Sequence, residues 1–217
     1  MMKFDEWFFP DGESHLPRWM SEMNKRIDGR LTYQHHKYEY AMQFVDNKKL
    51  AIDVGAHVGL WSFYMARDFE HVACFEPVEA HQECWYRNME HAINAELFDC
   101  ALGERCGFVT LKTNATSSGD TWIDPDGTGD IEQKPLDYFS FENVGLIKID
   151  CEGYEIKVIE GALNTILKSK PVIVVEQKGN MIEKYGYKQL AAVELLKSHG
   201  AKVKDVISGD YILAWDK

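Results

Sequence analysis

Apolar residues in this chain fall into short runs, and each run is followed by a stretch in which they recur at helical spacing. Leu50-Ala51-Ile52-Asp53-Val54, Glu70 to Glu76, Val144 to Asp150 and Pro171 to Glu176 are short and apolar enough to be strands buried on both faces. The stretch after the first run, Gly59 to Arg67, suits a helix. So does Pro77 to about Ala92, with Trp85 and Met89 on one face. Glu155 to Leu167 carries Ile156, Ile159, Leu163 and Ile166 at core spacing, and Tyr187 to Ser198 turns Leu190, Val193 and Leu196 inward before Gly200 stops it. Ala95 to Gly103 reads as one more strand and a turn. Strand and helix in alternation imply a parallel sheet with right-handed crossovers. The end of the chain, Ala201 to Val206 and Tyr211 to Trp215 around Ser208-Gly209-Asp210, predicts an antiparallel hairpin that closes the sheet.

Two regions break the alternation. Residues 1–45 scatter Trp7, Phe8, Phe9, Trp19, Met20, Met23, Tyr33, Tyr38 and Tyr40 among charges, with breaks at Pro10 and Pro17. The expectation is an N-terminal helical cap, with helices near Arg18 to Arg26 and Gln34 to Val45, set against a main domain over residues 46–217. If the cap borders a site, Gln34, His35 and His36 would supply its polar contacts; adjacent histidines diverge on a helix, so they do not predict a shared metal. The other region follows an extended segment at Gly107 to Lys112. Residues 113–134 read as a long loop of the kind that forms a lid or binds substrate. Within it, Asp124-Pro125-Asp126-Gly127 echoes a calcium loop but lacks the full ligand register, which leaves a solvated acidic turn.

Composition narrows the field. A 217-residue chain with 45% hydrophobic and 27% charged residues suits one α/β unit with a modest extension. A net charge of −11 argues against a sequence-independent hold on nucleic acid or on an anionic membrane. No apolar run reaches membrane-spanning length, and acidic residues stand where the apolar core of a signal peptide would be. Cys74, Cys84, Cys100, Cys106 and Cys151 are odd in number and form no C-x-x-C pair, so neither a disulfide framework nor a zinc site is expected. A cytoplasmic protein is the plain expectation.

Chemistry concentrates at the carboxyl ends of the predicted strands. Asp53-Val54-Gly55-Ala56-His57-Val58-Gly59 joins a strand to a helix through a D-x-G-x-x-x-G turn, not the G-x-G-x-x-G that cradles a dinucleotide pyrophosphate. That spacing suits a ligand with an amino acid and a ribose but no phosphate, and S-adenosylmethionine is the first hypothesis. Glu76 ends the second strand, 21 positions beyond Gly55, where an acidic residue holds ribose hydroxyls. Lys148 and Asp150 lie two apart on one strand and therefore share a face. Asp150, Glu152 and Glu155 follow within six residues, and Glu176 ends the next strand. The bland alternative is a buried Lys148–Asp150 pair with Glu152 capping the following helix. Two rival functions stay open at this point: a nicotinamide-dependent oxidoreductase and a binding module without turnover.

In order and spacing the 53–59 turn, Phe75-Glu76-Pro77, the Leu136-Asp137 pair and Ile147-Lys148-Ile149-Asp150-Cys151-Glu152-Gly153-Tyr154-Glu155 resemble the FkbM family of S-adenosylmethionine-dependent methyltransferases over roughly residues 50–180. The resemblance implies a Rossmann-like class I methyltransferase fold: a seven-stranded, mostly parallel sheet with a reversed last strand. It implies O-methylation of a hydroxyl on a sugar, polyketide or related small molecule or glycan. It places Asp53, Gly55, Ala56, His57 and Gly59 around the methionine part of the cofactor. Glu76 and Pro77 would meet the ribose, and Cys100 and Ala101 would border the adenine. One of Asp150, Glu152 and Glu176 would then be the base that takes the hydroxyl proton, with Lys148 or His57 orienting it. In the alternative, the same three carboxylates hold a divalent cation that acidifies the hydroxyl.

Overall fold

The computed structural model describes residues 1–114 and 117–216. Seven strands, numbered in chain order, form its central mixed sheet: β1 (Leu50–Val54), β2 (His71–Phe75), β3 (Ala95–Phe98), β4 (Val144–Ile149), β5 (Val172–Glu176), β6 (Lys202–Ile207) and β7 (Asp210–Ala214). They lie in the order β6-β7-β5-β4-β1-β2-β3. Strands β3, β2, β1, β4 and β5 pair in parallel, while β7 runs antiparallel between β5 and β6. The chain works outward from β1 to β3, then returns to place β4 on the other side of β1. Connections therefore leave β1 and β4 in opposite directions, which opens a crevice above their carboxyl ends.

Alternation along the strands sorts the core onto two faces. Ile52, Val54, Ile147, Ile149, Ile173 and Val175 pack with Ile156, Ile159, Ile166, Val193 and Leu196. These come from helices α5 (Glu155–Glu160), α6 (Leu163–Ser169) and α7 (Ala191–Ser198). The other face carries Ala51, Val72, Cys74, Leu146 and Val172. It is covered by α2 (His35–Met42), α3 (Leu60–Asp68) and α4 (Glu79–Asn88), through Tyr38, Trp61, Tyr64, Met65 and Trp85. Asp53 and Lys148 sit side by side in the β1–β4 register, on this second face.

The single helix expected over 155–167 is two, α5 and α6. The second has its own start, because the Asp137 carboxylate accepts the backbone N–H groups of Asn164 and Thr165 and the Thr165 hydroxyl, at 3.0, 2.8 and 2.7 Å. The strand read over 95–103 also divides. Ala101–Leu102 leaves β3 and joins a second sheet in the order Ser117–Asp124, Gly107–Asn114, Ile131–Lys134, Ala101–Leu102. Most of the expected loop over 113–134 is thus strand, positions 115 and 116 lying outside the described residues. Its polar residues obscure a pattern in which only one face of the hairpin is covered. In the acidic turn, Asp124 pairs with Lys112 at 2.8 Å, and no metal-binding group of acids forms there among the described residues.

The N-terminal segment is only partly the helical cap expected. It comprises α1 (His15–Met23), α2 and two short hairpins, Met2–Phe4 with Trp7–Phe9 and Arg26–Ile27 with Arg30–Leu31. Trp7, Phe9, Leu16, Met20 and Leu31 bury themselves against Val58, Leu60 and Cys84 of the main body. No helix of the described residues is long and apolar enough to cross a membrane.

One ion pair ties this segment to the far side of the sheet. Lys37 on α2 reaches Asp210 at the start of β7 at 2.7 Å, with side chains only 3% and 6% exposed. Removing one member of such a pair leaves a buried charge without its partner. Lys37→Met is expected to lower the unfolding free energy by about 3 kcal/mol in urea denaturation. A loss under about 1 kcal/mol, the range of a surface pair, would contradict the burial.

Candidate active site

A cavity of about 400 Å³ lies over the carboxyl ends of β1, β2, β4 and β5, within the size range of small-molecule sites. On the β2 side its wall is Phe75, Glu76, Pro77, Cys100 and Ala101; on the β5 side it is Lys148, Asp150, Glu152, Glu176 and Lys178. The turn from Gly55 to His57 runs beneath.

That turn is closed upon itself. The N–H groups of Gly55 and Ala56 both donate to the Phe75 carbonyl at 3.0 Å, and Gly59 donates to Ala56 at 2.8 Å. The His57 N–H donates to Glu76 Oε2 at 2.8 Å. Four of its donors are thus engaged before any ligand arrives. Gly55 has φ +75°, and a Cβ there would lie 2.0 Å from the Asp150 carbonyl oxygen. Glycine is required here by the close approach of β4, whatever occupies the cavity.

Two residues expected around the cofactor do not reach the cavity wall. Asp53 points to the α3 face, fully buried, and accepts the Ser62 hydroxyl at 2.7 Å. Strand alternation puts it there, since Val54 takes the cavity face. Gly59 precedes α3 with φ +92° and lies against Trp85. The remaining members of the expected cofactor set, Gly55, Ala56, His57, Glu76, Pro77, Cys100 and Ala101, all line the cavity.

Glu76 is 4% exposed and also accepts the Val78 N–H at 2.9 Å, with His81 Nδ1 at 3.2 Å. A carboxylate has about four acceptor positions, so Glu76, with three partners, retains one for a hydroxyl group in the cavity. Burial, with His81 and Lys148 adding to it, pushes the His57 imidazole well below its ordinary value. The ring is neutral and packs edge-on to His81 at 4.2 Å.

The acidic side is a chain of alternating charge. Lys148 Nζ lies 3.9 Å from Asp53, 3.3 Å from Asp150 and 3.2 Å from the Gly55 carbonyl. Asp150 is hydrogen-bonded to Glu176, Glu176 pairs with Lys178, and Lys178 lies 3.3 Å from Asp210, the partner of Lys37. Burial opposes the charge on Lys148, but Asp150 and Asp53 outweigh it and its pKa is raised. Burial likewise opposes the charge on Asp150, where Lys148 and the hydrogen bond from Glu176 prevail and the pKa is lowered. The charge on Asp150, then burial, lifts Glu176 to about 9. Burial and Asp150 lift Glu152 to about 8. At neutral pH Asp150 is the ionised member of the group, and Glu176 carries the shared proton. Of the two orienting partners expected, Lys148 touches Asp150.

Glu152 projects into the cavity from a left-handed backbone position, φ +51°, followed by Gly153 at +98°. It does not cap the next helix. Glu155, the first residue of α5, instead accepts the N–H groups of Cys151 and Gly153 in the preceding turn at 3.0 and 2.9 Å and the Gln177 amide at 3.2 Å. Glu155 holds the turn that presents Asp150 and Glu152. One carboxylate oxygen each from Asp150, Glu152 and Glu176 falls within a 4.8 Å spread, a set able to hold a divalent cation in place of the proton.

Sequence reasoning missed several wall residues. Tyr33 comes from the N-terminal segment and His81 from α4, while Asp120, Thr121 and Ile123 belong to the 113–134 stretch expected to bind substrate and line the cavity from a strand, not a loop. Of Gln34, His35 and His36, only Gln34 lines the cavity. His35 packs against the rings of Tyr38 and Tyr64, and His36 is exposed. The usable signal for Tyr33 was its place just ahead of a helix start, which carries no chemistry by itself.

The profile of the methyltransferase FkbM domain matches residues 53–203. Among solved structures, the methyltransferase FkbM from Methylobacillus flagellatus is 19% identical, with a TM-score of 0.49 over 79% of this chain and 44% of that one; the chain spans less than half of that protein's length. Precorrin-6y C5,15-methyltransferase from Geobacter metallireducens superposes with a TM-score of 0.53 at 15% identity, over 89% of this chain and 94% of that one. SMU.1697c of Streptococcus mutans, in complex with SAH, gives 0.52 at 10% identity over 82% and 94%. The last two share the class I methyltransferase-like α/β fold. No protein of curated function matches the sequence.

The raised carboxyl groups fix the sign of a pH effect. Glu152 and Glu176, at about 8 and about 9 against an ordinary 4.5, bind protons more tightly in the folded than in the unfolded chain. Their contribution to stability is complete below the unfolded value and is lost as pH rises through the folded ones. Unfolding free energy is expected to fall between about pH 7 and 9 at fixed ionic strength, and Glu176→Gln to flatten the upper part of that fall. Stability that rises across this interval would contradict the assignment.

Proposed function

Since the chain belongs to the methyltransferase FkbM-domain family, we propose that it moves a methyl group from S-adenosylmethionine to a hydroxyl oxygen of a sugar, polyketide or related small molecule. The observation that carries the cofactor assignment is the closed turn. The N–H groups of Gly55, Ala56, His57 and Gly59 all have partners within the protein, so nothing at these positions awaits a pyrophosphate. Glu76, by contrast, keeps acceptor capacity on Oε2 for a ribose hydroxyl. This pairing favours a phosphate-free nucleoside over a nicotinamide dinucleotide. Glu76, Pro77, Cys100 and Ala101 would hold the nucleoside, and Gly55 to His57 the part that extends toward β4.

The cofactor supplies a methyl group already activated on a sulfonium. What remains for the protein is placement of the acceptor oxygen and removal of its proton. Asp150 is suited to taking that proton, because it is ionised at neutral pH, lies on the cavity wall and is held by Lys148 at 3.3 Å. As the sulfur–methyl bond broke and the carbon–oxygen bond formed, leaving S-adenosylhomocysteine as the neutral thioether, the hydroxyl proton would pass to Asp150. Glu176, protonated beside it, steadies the carboxylate through their hydrogen bond. Lys148 stays charged throughout and keeps the carboxylate oriented.

A second reading is favoured by the convergence of Asp150, Glu152 and Glu176 within 4.8 Å. A divalent cation held there would displace the proton of Glu176 and acidify the acceptor hydroxyl directly. Full turnover in excess EDTA removes this version, and loss of turnover restored by magnesium or manganese establishes it.

The test of the proposal is a mass-spectrometric screen of hydroxylated metabolites and glycans, incubated with the protein and S-adenosylmethionine, for the gain of one methylene unit. A compound so modified supports it; cofactor binding with no modified compound favours a binding module. With an acceptor in hand, Asp150→Asn is expected to lower kcat by roughly 10²- to 10⁴-fold, and an unchanged kcat would rule Asp150 out as the base. Glu76→Ala is expected to weaken S-adenosylhomocysteine binding by about 1–3 kcal/mol in calorimetry.

A further inference from the structure

The wall beside Asp150 poses a problem for any ligand that carries an amino acid. Such a ligand brings a carboxylate into a cavity whose β5 side already presents Asp150, Glu152 and Glu176. A carboxylate left without donors there would be strongly disfavoured. The obvious donors are engaged. Lys148 serves Asp150, Asp53 and the Gly55 carbonyl, and Lys178 serves Glu176 and Asp210. The Gln177 amide donates to Glu155 and to the Glu176 carbonyl.

One cavity-lining donor stands out as both fixed and available. Tyr64 Oη accepts the Tyr33 N–H at 2.9 Å and donates to the Tyr33 carbonyl at 3.0 Å, which clamps that backbone unit. Trp61 Nε1, a group that can only donate, gives its proton to Gln34 Oε1 at 3.2 Å. This fixes the amide, so that Gln34 Nε2 faces Tyr33 and donates to its oxygen at 3.0 Å. The phenol oxygen is thus an acceptor in that bond, and its own proton has no acceptor among the described residues. Trp19 packs edge-on to the ring at 6.0 Å. Burial and the charge on Asp150 lift the phenol to about 12, so it keeps its proton at working pH. Tyr33 lines the cavity together with Asp150, Glu176, Lys148 and Lys178, the charges that bear on its hydroxyl.

We propose that Tyr33, oriented by Gln34 and Tyr64, donates its hydroxyl hydrogen bond to the carboxylate of the cofactor's amino acid part, so that the N-terminal segment completes the cofactor site. This rests on the cofactor reading above. A neutral donor suits the position. It gives a charge-assisted bond to the carboxylate and leaves the Lys148 and Lys178 pairings intact.

The test compares two ligands by calorimetry. S-adenosylhomocysteine carries the carboxylate; 5′-methylthioadenosine keeps the nucleoside and sulfur but lacks the amino acid group. Tyr33→Phe removes only the hydroxyl and is expected to weaken the first ligand roughly 10-fold or more and to leave the second within about 2-fold. Gln34→Met, which frees the phenol from its orientation, is expected to show the same selectivity to a smaller extent. An equal loss for both ligands would mark Tyr33 as merely structural, and unchanged S-adenosylhomocysteine affinity would remove it from the site; either overturns the inference while the cofactor reading stands. Failure of the wild-type protein to bind S-adenosylhomocysteine overturns both.

Discussion

The Lys148 ammonium, buried between the carboxylates of Asp53 and Asp150, is the contact on which the carboxyl edge of the sheet depends. Strand β4 is otherwise wholly apolar, and a lysine within it is tolerated only because a carboxylate on β1 stands next to it in register. From there the pairing runs on through Glu176 and Lys178 to Asp210, and Lys37 closes it from the N-terminal segment. Four carboxyl groups face three ammonium groups along this line. The set is neutral when it holds one proton, and the Asp150–Glu176 pair is where that proton resides. Fold and chemistry therefore share an origin: the array that permits charge at the edge of a dry sheet also leaves one carboxylate ionised and its neighbour protonated.

The backbone around the array is built to the same end. Gly55 lets β4 come close enough for Lys148 to reach both the turn carbonyl and Asp53. Glu152 and Gly153 occupy consecutive left-handed positions, a conformation that persists only when its surroundings over-determine it. Glu155 supplies that constraint by taking two N–H groups of the turn. Asp150 and Glu152 are thereby presented from a rigid strand end rather than a mobile loop, as orientation-dependent chemistry requires.

Much of this was legible in the sequence where one physical rule dominates. Runs buried on both faces gave the parallel strands, and the D-x-G turn with Glu76 marked the cavity. Where two rules competed, the reading failed. Asp53 belongs to the motif, yet strand alternation turns it to the α3 face, and no motif reports which face a strand residue takes. Glu152 and Glu155 are the same residue type three positions apart. Only the left-handed turn decides that the first enters the cavity while the second holds the backbone. The extended segment read over 107–112 is a strand, with Val109 and Leu111 against the core, but its partner over 117–124 has only Trp122 and Ile123 as apolar residues, too few to show an alternation. Tyr33, His81 and Lys37 reach the site or its charge array through tertiary packing, and nothing local to them announces it.

The most direct measurement of the central claim is a crystal structure of the protein with S-adenosylhomocysteine. The account predicts the ligand across the carboxyl edge, with a ribose hydroxyl in hydrogen-bond contact with Glu76, its ring beside Cys100 and Ala101, and its sulfur turned toward Asp150. Density for the nucleoside outside this cavity, or in it with the ends reversed so that the ring lies against Asp150 and Glu176, would contradict it.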